Sequence, residues 1–179
     1  MEYRRAFIEN SYIFITVVTS KRRKILIKNI KLLRKAFENA KRFHSFEIYA
    51  AVILDDHFHI IIKPEKTNNY PMIIRLIKNY FSRNIDISSI DDYEISPSRK
   101  SKKEKDIWQR RYWEHTIQDE KDLYNHLDYI HYNPVKHCYV DNVKNWEYSS
   151  FHKFVKDNLY DINWGCFEDV KKIQSMNYE

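Results

Sequence analysis

The sequence predicts an α+β fold with a ferredoxin-like split βαβ arrangement: an antiparallel sheet with helices on one face, plus a C-terminal helical extension. Its segments switch between strand-like and helix-like patterns in the order strand, helix, strand, strand, helix, strand and helix. With 179 residues, of which 43% are hydrophobic, the chain can form a single domain with a substantial core. We therefore expect one domain over residues 1–179, with a core at about 2–155 and the extension at 156–179.

The first half of the chain contains three predicted strands and one helix. The stretch Tyr12–Thr19 is rich in aromatic and β-branched residues, which is typical of a strand. Apolar residues recur at helical spacing over about Lys28–His44, which predicts an amphipathic helix. The stretches Phe46–Leu54 and His57–Lys63 predict two further strands, joined by a tight turn at Asp55–Asp56.

The second half supplies the remaining elements. Pro71–Arg83 predicts a helix with proline in its first turn, and Arg111–Gln118 predicts the fourth strand. Asp119 is a candidate N-cap for a third helix that ends near Pro134. The polar stretch Ile85–Lys105 lacks periodicity, so we expect a mobile basic loop at about 85–106.

The charge distribution favours a polyanionic partner. The net charge is +6, but the cations are clustered: residues 21–42 hold ten Lys and Arg against one acid, and residues 99–111 hold seven against two. Such clusters fit nucleic acid, although solvated surfaces are the simpler alternative. The single glycine, Gly165, argues against Gly-rich phosphate loops.

The segment Asp56–His59 carries the first candidate site. Side chains alternate along a strand, so His57 and His59 share one face while Phe58 points to the other. Two imidazoles one pleat apart can chelate a metal ion, and we expect both histidines on the surface of a cleft. The alternative is a pair of surface histidines that hydrogen-bond to neighbours.

A second candidate site lies at the end of the third predicted helix. Tyr129 and Asn133 are four residues apart and therefore project from one helix face. An amide that helps hold a metal ion, beside a phenol that attacks phosphate, would suit phosphodiester cleavage. The alternative interpretation is that the tyrosine only packs in the core and that Asn133 only ends the helix before Pro134. Tyr132, three residues further on, and Tyr112, on the fourth predicted strand, are rival candidates for the nucleophile.

Five stretches together resemble REP-associated tyrosine transposases of the single-tyrosine HUH family. Asp56–His59 is similar to the motif of histidine, hydrophobic residue and histidine. The other stretches that resemble the family are Glu2–Arg5, Trp108–His115, Leu127–His137 and Trp146–His152.

The resemblance, which spans about residues 2–165, implies a single-stranded DNA endonuclease and strand transferase that depends on Mg2+ or Mn2+. It implies Tyr129 as the nucleophile and His57, His59 and Asn133 as metal ligands. Members of the family recognise short palindromic repeats that form hairpins, with a guide sequence beside the hairpin. Together with the basic clusters, it predicts these DNA-contacting residues: Tyr3, Arg4, Arg5, Lys21, Arg22, Arg23, Lys24, Lys100, Lys102, Lys103, Arg110 and Arg111.

Two other functions remain open at the level of sequence. One is a metal-dependent nuclease without a covalent step, in which Asp56 helps to activate water. The other is a nucleic-acid-binding domain without catalysis. Isolated cysteines at 138 and 166 and the absence of a signal-peptide pattern predict a reduced, cytoplasmic protein. We expect a nucleoid-associated protein of bacterial type, and the sequence leaves open whether it is a monomer or a homodimer.

Overall fold

A computed structural model describes residues 7–91 and 93–165. Its single sheet has four strands, Ile13–Val18 (β1), Phe46–Ile53 (β2), His57–Pro64 (β3) and Trp113–Thr116 (β4). The strands lie in the order β2-β3-β1-β4, and every neighbouring pair is antiparallel. This sheet confirms the predicted ferredoxin-like arrangement.

Helices cover both faces of the sheet. Ile30–Phe43 (α1) and Tyr70–Asn84 (α2) pack together over one face, as the split βαβ order requires. Pro97–Ser101 (α3) is a short helix between α2 and β4. Glu120–Lys136 (α4) and Phe151–Lys156 (α5) supply core residues on the opposite face.

The pleat of the two central strands separates the side chains of the two faces. On the face of α1 and α2, β3 buries Phe58, Ile60 and Ile62. On the face of α4, the same strand buries His57 and His59. Because both faces of β3 are covered, its histidines lie inside the molecule and not on an open sheet surface.

Three boundaries differ from the sequence prediction. The predicted loop over residues 85–105 contains a 3-10 turn at Ile87–Ser89 and helix α3, because buried Ile85 and Ile90 anchor it to the core. Strand β4 has four residues, fewer than predicted. Helix α4 continues through Pro134 to Lys136, since a proline so near the end removes only one backbone hydrogen bond.

The helices of residues 7–91 and 93–165 are all too short or too polar to cross a bilayer. The longest of them, α4, carries charged and polar residues along its length.

Candidate active site

The paired histidines of β3 are buried side by side. His57 is 1% exposed and His59 is fully buried, and their ring centroids lie 4.9 Å apart. The sequence-based expectation that both histidines lie at the surface of a cleft is wrong, because α4 covers this face of the sheet. Their shared orientation agrees with the strand alternation.

The Nδ1 atom of each histidine ring has a fixed partner. Nδ1 of His57 lies 2.6 Å from the carboxylate of Asp56, and Nδ1 of His59 lies 2.7 Å from the hydroxyl of Thr16. Histidines that bind metals usually place the ring nitrogen remote from the metal against a hydrogen-bond acceptor such as a carboxylate. These contacts orient each Nε2 as the nitrogen that would meet an ion.

Asp56 connects this pair to a basic turn. Its carboxylate also lies 3.3 Å from the Arg22 guanidinium. Burial raises the pKa of Asp56, but the hydrogen bonds and charges of His57 and Arg22 outweigh it, and the net pKa is lowered. Asp56 is therefore an anion held between two cationic or hydrogen-bonding groups.

The turn that carries Arg22 has an unusual backbone. Lys21 and Arg22 have φ values of 54° and 49°, in the left-handed region that side chains with a Cβ rarely adopt. Each residue in this conformation lowers the stability of the folded state by about 1–3 kcal/mol, and such residues are concentrated at functional sites. The strained turn places the guanidinium at Asp56.

Helix α4 and the residue that follows it carry three polar side chains on the side facing the histidines. Tyr129, Asn133 and His137 are spaced four residues apart, so they form a stripe along one face of the helix. The Tyr129 ring lies 5.1 Å from the His59 ring, and the His137 ring lies 5.0 Å from the His57 ring, all measured between centroids. The stripe therefore runs antiparallel to β3, with Asn133 between the two contacts.

Lys136 contacts the Tyr129 phenol. Its Nζ donates to the phenolic oxygen at 3.3 Å and lies 4.7 Å from the ring centroid. The ammonium group can stabilise negative charge on this oxygen. Tyr129 itself exposes no surface, so a substrate can reach its hydroxyl only after the covering side chains move.

Asn133 has the properties of a side chain built to hold a ligand. It is fully buried, and within the described residues neither its Oδ1 nor its Nδ2 has a hydrogen-bond partner. Leaving a buried amide unsatisfied costs about 1–3 kcal/mol. Two oriented imidazoles and this amide fit a divalent metal ion, whose binding would satisfy the Asn133 oxygen.

A second cluster, missed in the sequence, lies near this site. His115, Asp122 and His126 place one ligand atom each within 4.8 Å of one another. Asp122 lies 2.7 Å from Nε2 of His115 and 3.0 Å from Nδ1 of His126, so metal binding would have to displace these hydrogen bonds. The spacing of Asp122 and His126, four residues apart on a helix, is the signal that could have revealed the pair.

Phe14 separates the two groups. Its ring centroid lies 4.7 Å from that of His126 and 5.7 Å from that of His59. Burial lowers the pKa of His126, although contacts with Asp122 oppose this. The cluster links strand β4 to helix α4 beside the candidate active site.

The two alternative tyrosines face elsewhere. Tyr132 packs with Val143 and Phe151 in a separate small cluster. Tyr112 packs against the core between the sheet and helices α1 and α2. Among Tyr112, Tyr129 and Tyr132, only Tyr129 lies against the paired histidines.

The predicted DNA-contacting residues fall into two groups. Residues 21–24 follow β1 near Asp56, where Arg23 donates to the Asp106 carbonyl and Lys24 lies over the Tyr139 ring. The other group surrounds α3 and the start of β4, and its exposed members are Lys100, Lys102, Lys103, Arg110 and Arg111. Tyr3, Arg4 and Arg5 lie outside the described residues.

A helix-borne tyrosine opposite a strand-borne His-x-His pair is the arrangement implied by the HUH resemblance. The family model described as "Transposase IS200 like" matches residues 7–133, and the chain belongs to this family. The fold and the site thus define a transposase of the single-tyrosine class.

Within that class, the relatives identify the group. A Haemophilus influenzae protein provisionally named as a REP-associated tyrosine transposase is 42% identical over 94% of this chain and 96% of its own. An Escherichia coli K12 protein with the same name is 37% identical over 91% of this chain and 90% of its own. This chain is therefore a member of the REP-associated tyrosine transposases.

A solved structure agrees with this placement. It is described as the REP-associated tyrosine transposase bound to a REP hairpin, and it matches with a TM-score of 0.74 at 36% identity. The match covers 92% of this chain and 90% of the other.

Proposed function

We propose that the protein is a single-stranded DNA endonuclease and strand transferase that acts on hairpin-forming repeat DNA in transposition, through a phosphotyrosine at Tyr129. The observation that carries this proposal is the position of the phenol, against His59 and within hydrogen-bond reach of Lys136. Family membership and the relative bound to a REP hairpin support the choice of substrate.

The chemical step balances without any further reactant. The Tyr129 oxygen attacks a backbone phosphorus and loses its proton, the bond from phosphorus to the 3′ oxygen breaks, and that oxygen takes up a proton. The products are a 5′-phosphotyrosine and a free 3′-hydroxyl. Because the linkage retains the phosphodiester energy, a 3′-hydroxyl can reverse the attack and join strands.

The surrounding residues have distinct tasks in this scheme. Lys136 donates to the phenolic oxygen and stabilises negative charge there. His57, His59 and Asn133 would hold a divalent ion, Mg2+ or Mn2+, which when bound supplies Lewis acidity toward the phosphate oxygens. Asp56 and Thr16 fix the two imidazoles through their Nδ1 atoms.

The same contacts disfavour a nuclease in which Asp56 activates water. Its carboxylate already accepts from His57 and lies against Arg22, which lowers its pKa and makes it a weaker base. We therefore assign Asp56 to orienting His57.

A matched pair of tyrosine variants tests the proposal. Tyr129→Phe and Tyr132→Phe each remove one hydroxyl from the same helix, and only the first lies against His59. Each protein is incubated with Mn2+ and labelled single-stranded hairpin DNA from the flanks of its own gene, and the products are resolved on denaturing gels. We expect Tyr129→Phe to lose both cleavage and the covalent complex, and Tyr132→Phe to retain them. Cleavage by Tyr129→Phe at the parental rate would contradict the proposal.

A further inference from the structure

A cluster of three side chains joins strand β4 to helix α4 outside the candidate active site. His115 lies on β4, and Asp122 and His126 lie on the first two turns of α4. One ligand atom from each residue lies within 4.8 Å of the other two. The cluster shares no side chain with the proposed metal ligands of the active site, and the ring of Phe14 lies between the two groups. It is therefore a separate candidate for metal binding.

The Asp122 carboxylate already lies near ligand spacing from both imidazoles. Its two oxygens lie 2.7 Å from Nε2 of His115 and 3.0 Å from Nδ1 of His126. Neighbouring ligand atoms of a four-coordinate zinc ion are about 3.3 Å apart, because the zinc–ligand distances are about 2.0–2.1 Å. The ligand nitrogens of the two imidazoles lie within 4.8 Å of each other, a gap that rotation of the His115 ring can close.

Two of the three groups are held in the protonation state that binds metal. Burial lowers the pKa of His126, which favours the neutral imidazole. Burial raises the pKa of Asp122, but its hydrogen bonds with His115 and the Gln118 backbone outweigh this, and the net pKa is lowered. An incoming ion takes the place of the hydrogens that the imidazoles now direct at Asp122, and those hydrogens move to the other ring nitrogens or to solvent.

The donor set and its exposure indicate the class of ion. Two imidazoles and one carboxylate suit Zn2+ and similar transition-metal ions, whereas Mg2+ and Ca2+ prefer oxygen ligands throughout. The side chains of His115 and Asp122 are 32% and 21% exposed, and that of His126 is 2% exposed. An ion can therefore reach the cluster from the side of His115, and water can occupy the fourth position.

We propose that His115, Asp122 and His126 bind a divalent ion of the zinc class that fastens β4 to α4. This ion is distinct from one held by the paired histidines of β3, so the inference does not rest on the proposed function. Tyr129 lies three residues after His126 on α4. An ion that fixes His126 to β4 therefore also restrains the helical turn that carries Tyr129.

Zinc binding is measured in a background that lacks the other pair of histidines. Full-length protein with His57→Asn and His59→Asn is freed of metal with EDTA, transferred to buffer without EDTA, and made to compete with a chromogenic chelator for Zn2+. His115→Gln is introduced into this background, since glutamine keeps a hydrogen-bonding group beside Asp122 but removes the imidazole. His44→Gln, which replaces another partly buried histidine at the end of α1, is the matched control.

We expect the background protein and the control to bind one Zn2+ per chain. His115→Gln should weaken binding by about 100-fold or more, because even the loss of a ligand's hydrogen-bond partner lowers metal affinity about 10–100-fold. Saturating Zn2+ should raise the melting temperature of the background and control proteins, but not that of His115→Gln. Equal zinc affinities of His115→Gln and His44→Gln, or no zinc-dependent rise in the background protein, would overturn the proposal.

A spectroscopic measurement needs no change to the cluster. X-ray absorption spectra of Zn2+ bound to the background protein report the number, type and distance of the ligands. We expect four nitrogen or oxygen ligands at about 2.0–2.1 Å, with the outer scattering of two imidazole rings. Scattering from fewer than two imidazoles, or a six-coordinate shell, would contradict the assignment even if His115→Gln failed to fold.

Discussion

The two faces of the sheet are built from different kinds of residue, although they share the same strands. The face beneath α1 and α2 buries an apolar set from both helices and from alternate positions of β1 and β3. Phe58, the second residue of β3, belongs to this set and is fully buried. This face is packed as a stability core.

The face beneath α4 buries polar groups among its apolar ones. The buried polar side chains contributed by β1, β3 and α4 here are Thr16, His57, His59, His126, His131 and Asn133. Burying such groups costs stability unless they are hydrogen-bonded or bind a ligand. Their concentration on one face agrees with the proposed active site there, while the apolar packing of the other face stabilises the fold.

Substitutions at neighbouring residues of β3 test most strongly whether the two faces of the sheet have different functions. His57→Asn or His59→Asn keeps an amide near the Nδ1 position and removes the Nε2 nitrogen. We expect DNA cleavage to be abolished in both, with the melting temperature close to that of the parent. Parental cleavage by either variant, in denaturing gels with Mn2+, would show that these histidines do not hold the metal.

Phe58→Ala, between the two histidines, should have the opposite effect. It leaves a cavity in the apolar core, and we expect a loss of about 3–5 kcal/mol in the free energy of unfolding. Urea denaturation measures this loss. Below the unfolding transition, cleavage should persist; a variant that keeps its stability but loses cleavage would mean that the two faces are not separate in function.

The alternation along β3 explains how much the sequence could predict. Strand periodicity sufficed to place His57 and His59 on one face, and helix periodicity sufficed for Tyr129 and Asn133. Sequence periodicity does not reveal how deeply a side chain is buried, so the expectation that the histidines lie at a cleft surface was wrong. The burial comes from α4, whose packing over β3 is a long-range contact.

Other features also depend on contacts between distant segments. A basic cleft lies between α2 and residues 99–112, and one of its walls is held by Lys78, which bonds to carbonyls 31 and 32 residues away. The group of His115, Asp122 and His126 joins a strand to a helix across a turn. Local patterns found the cations near the cleft and did not show that they line one cavity.

A smaller effect is expected from the groups that orient the histidines. Thr16→Val keeps the shape of the side chain and removes the hydroxyl that contacts Nδ1 of His59. We expect activity or metal affinity to fall about 10–100-fold, as is usual for partners of metal-binding histidines. Thr67→Val, another buried threonine, serves as the control. Equal activities of the two variants would mean that Thr16 has no orienting function.

The smallest expected effect is the contribution of buried His131 to the pH dependence of the free energy of unfolding. Burial lowers the pKa of His131 from 6.5 to about 3, so the folded protein keeps it neutral while the unfolded chain protonates it below pH 6.5. Stability is therefore lost as pH falls from 6.5 toward 3, by about 1.4 kcal/mol between pH 7.5 and 5.5.

His131→Gln isolates this contribution. Glutamine does not titrate and can still reach the Ser150 hydroxyl, which lies 2.9 Å from Nε2 of the histidine. Urea denaturation at the two pH values should show that the parent loses about 1.4 kcal/mol more than the variant. Equal losses in both proteins would indicate that His131 is protonated in the folded state.

The most direct test of the central claim is the chemical identity of the covalent complex. The parent protein is incubated with Mn2+ and hairpin DNA, the complex is digested with protease and nuclease, and the modified peptide is sequenced by mass spectrometry. The account predicts a nucleotide linked through its 5′ phosphate to Tyr129. Linkage to Tyr132 or Tyr112, or cleavage with no linked peptide at any time point, would contradict it.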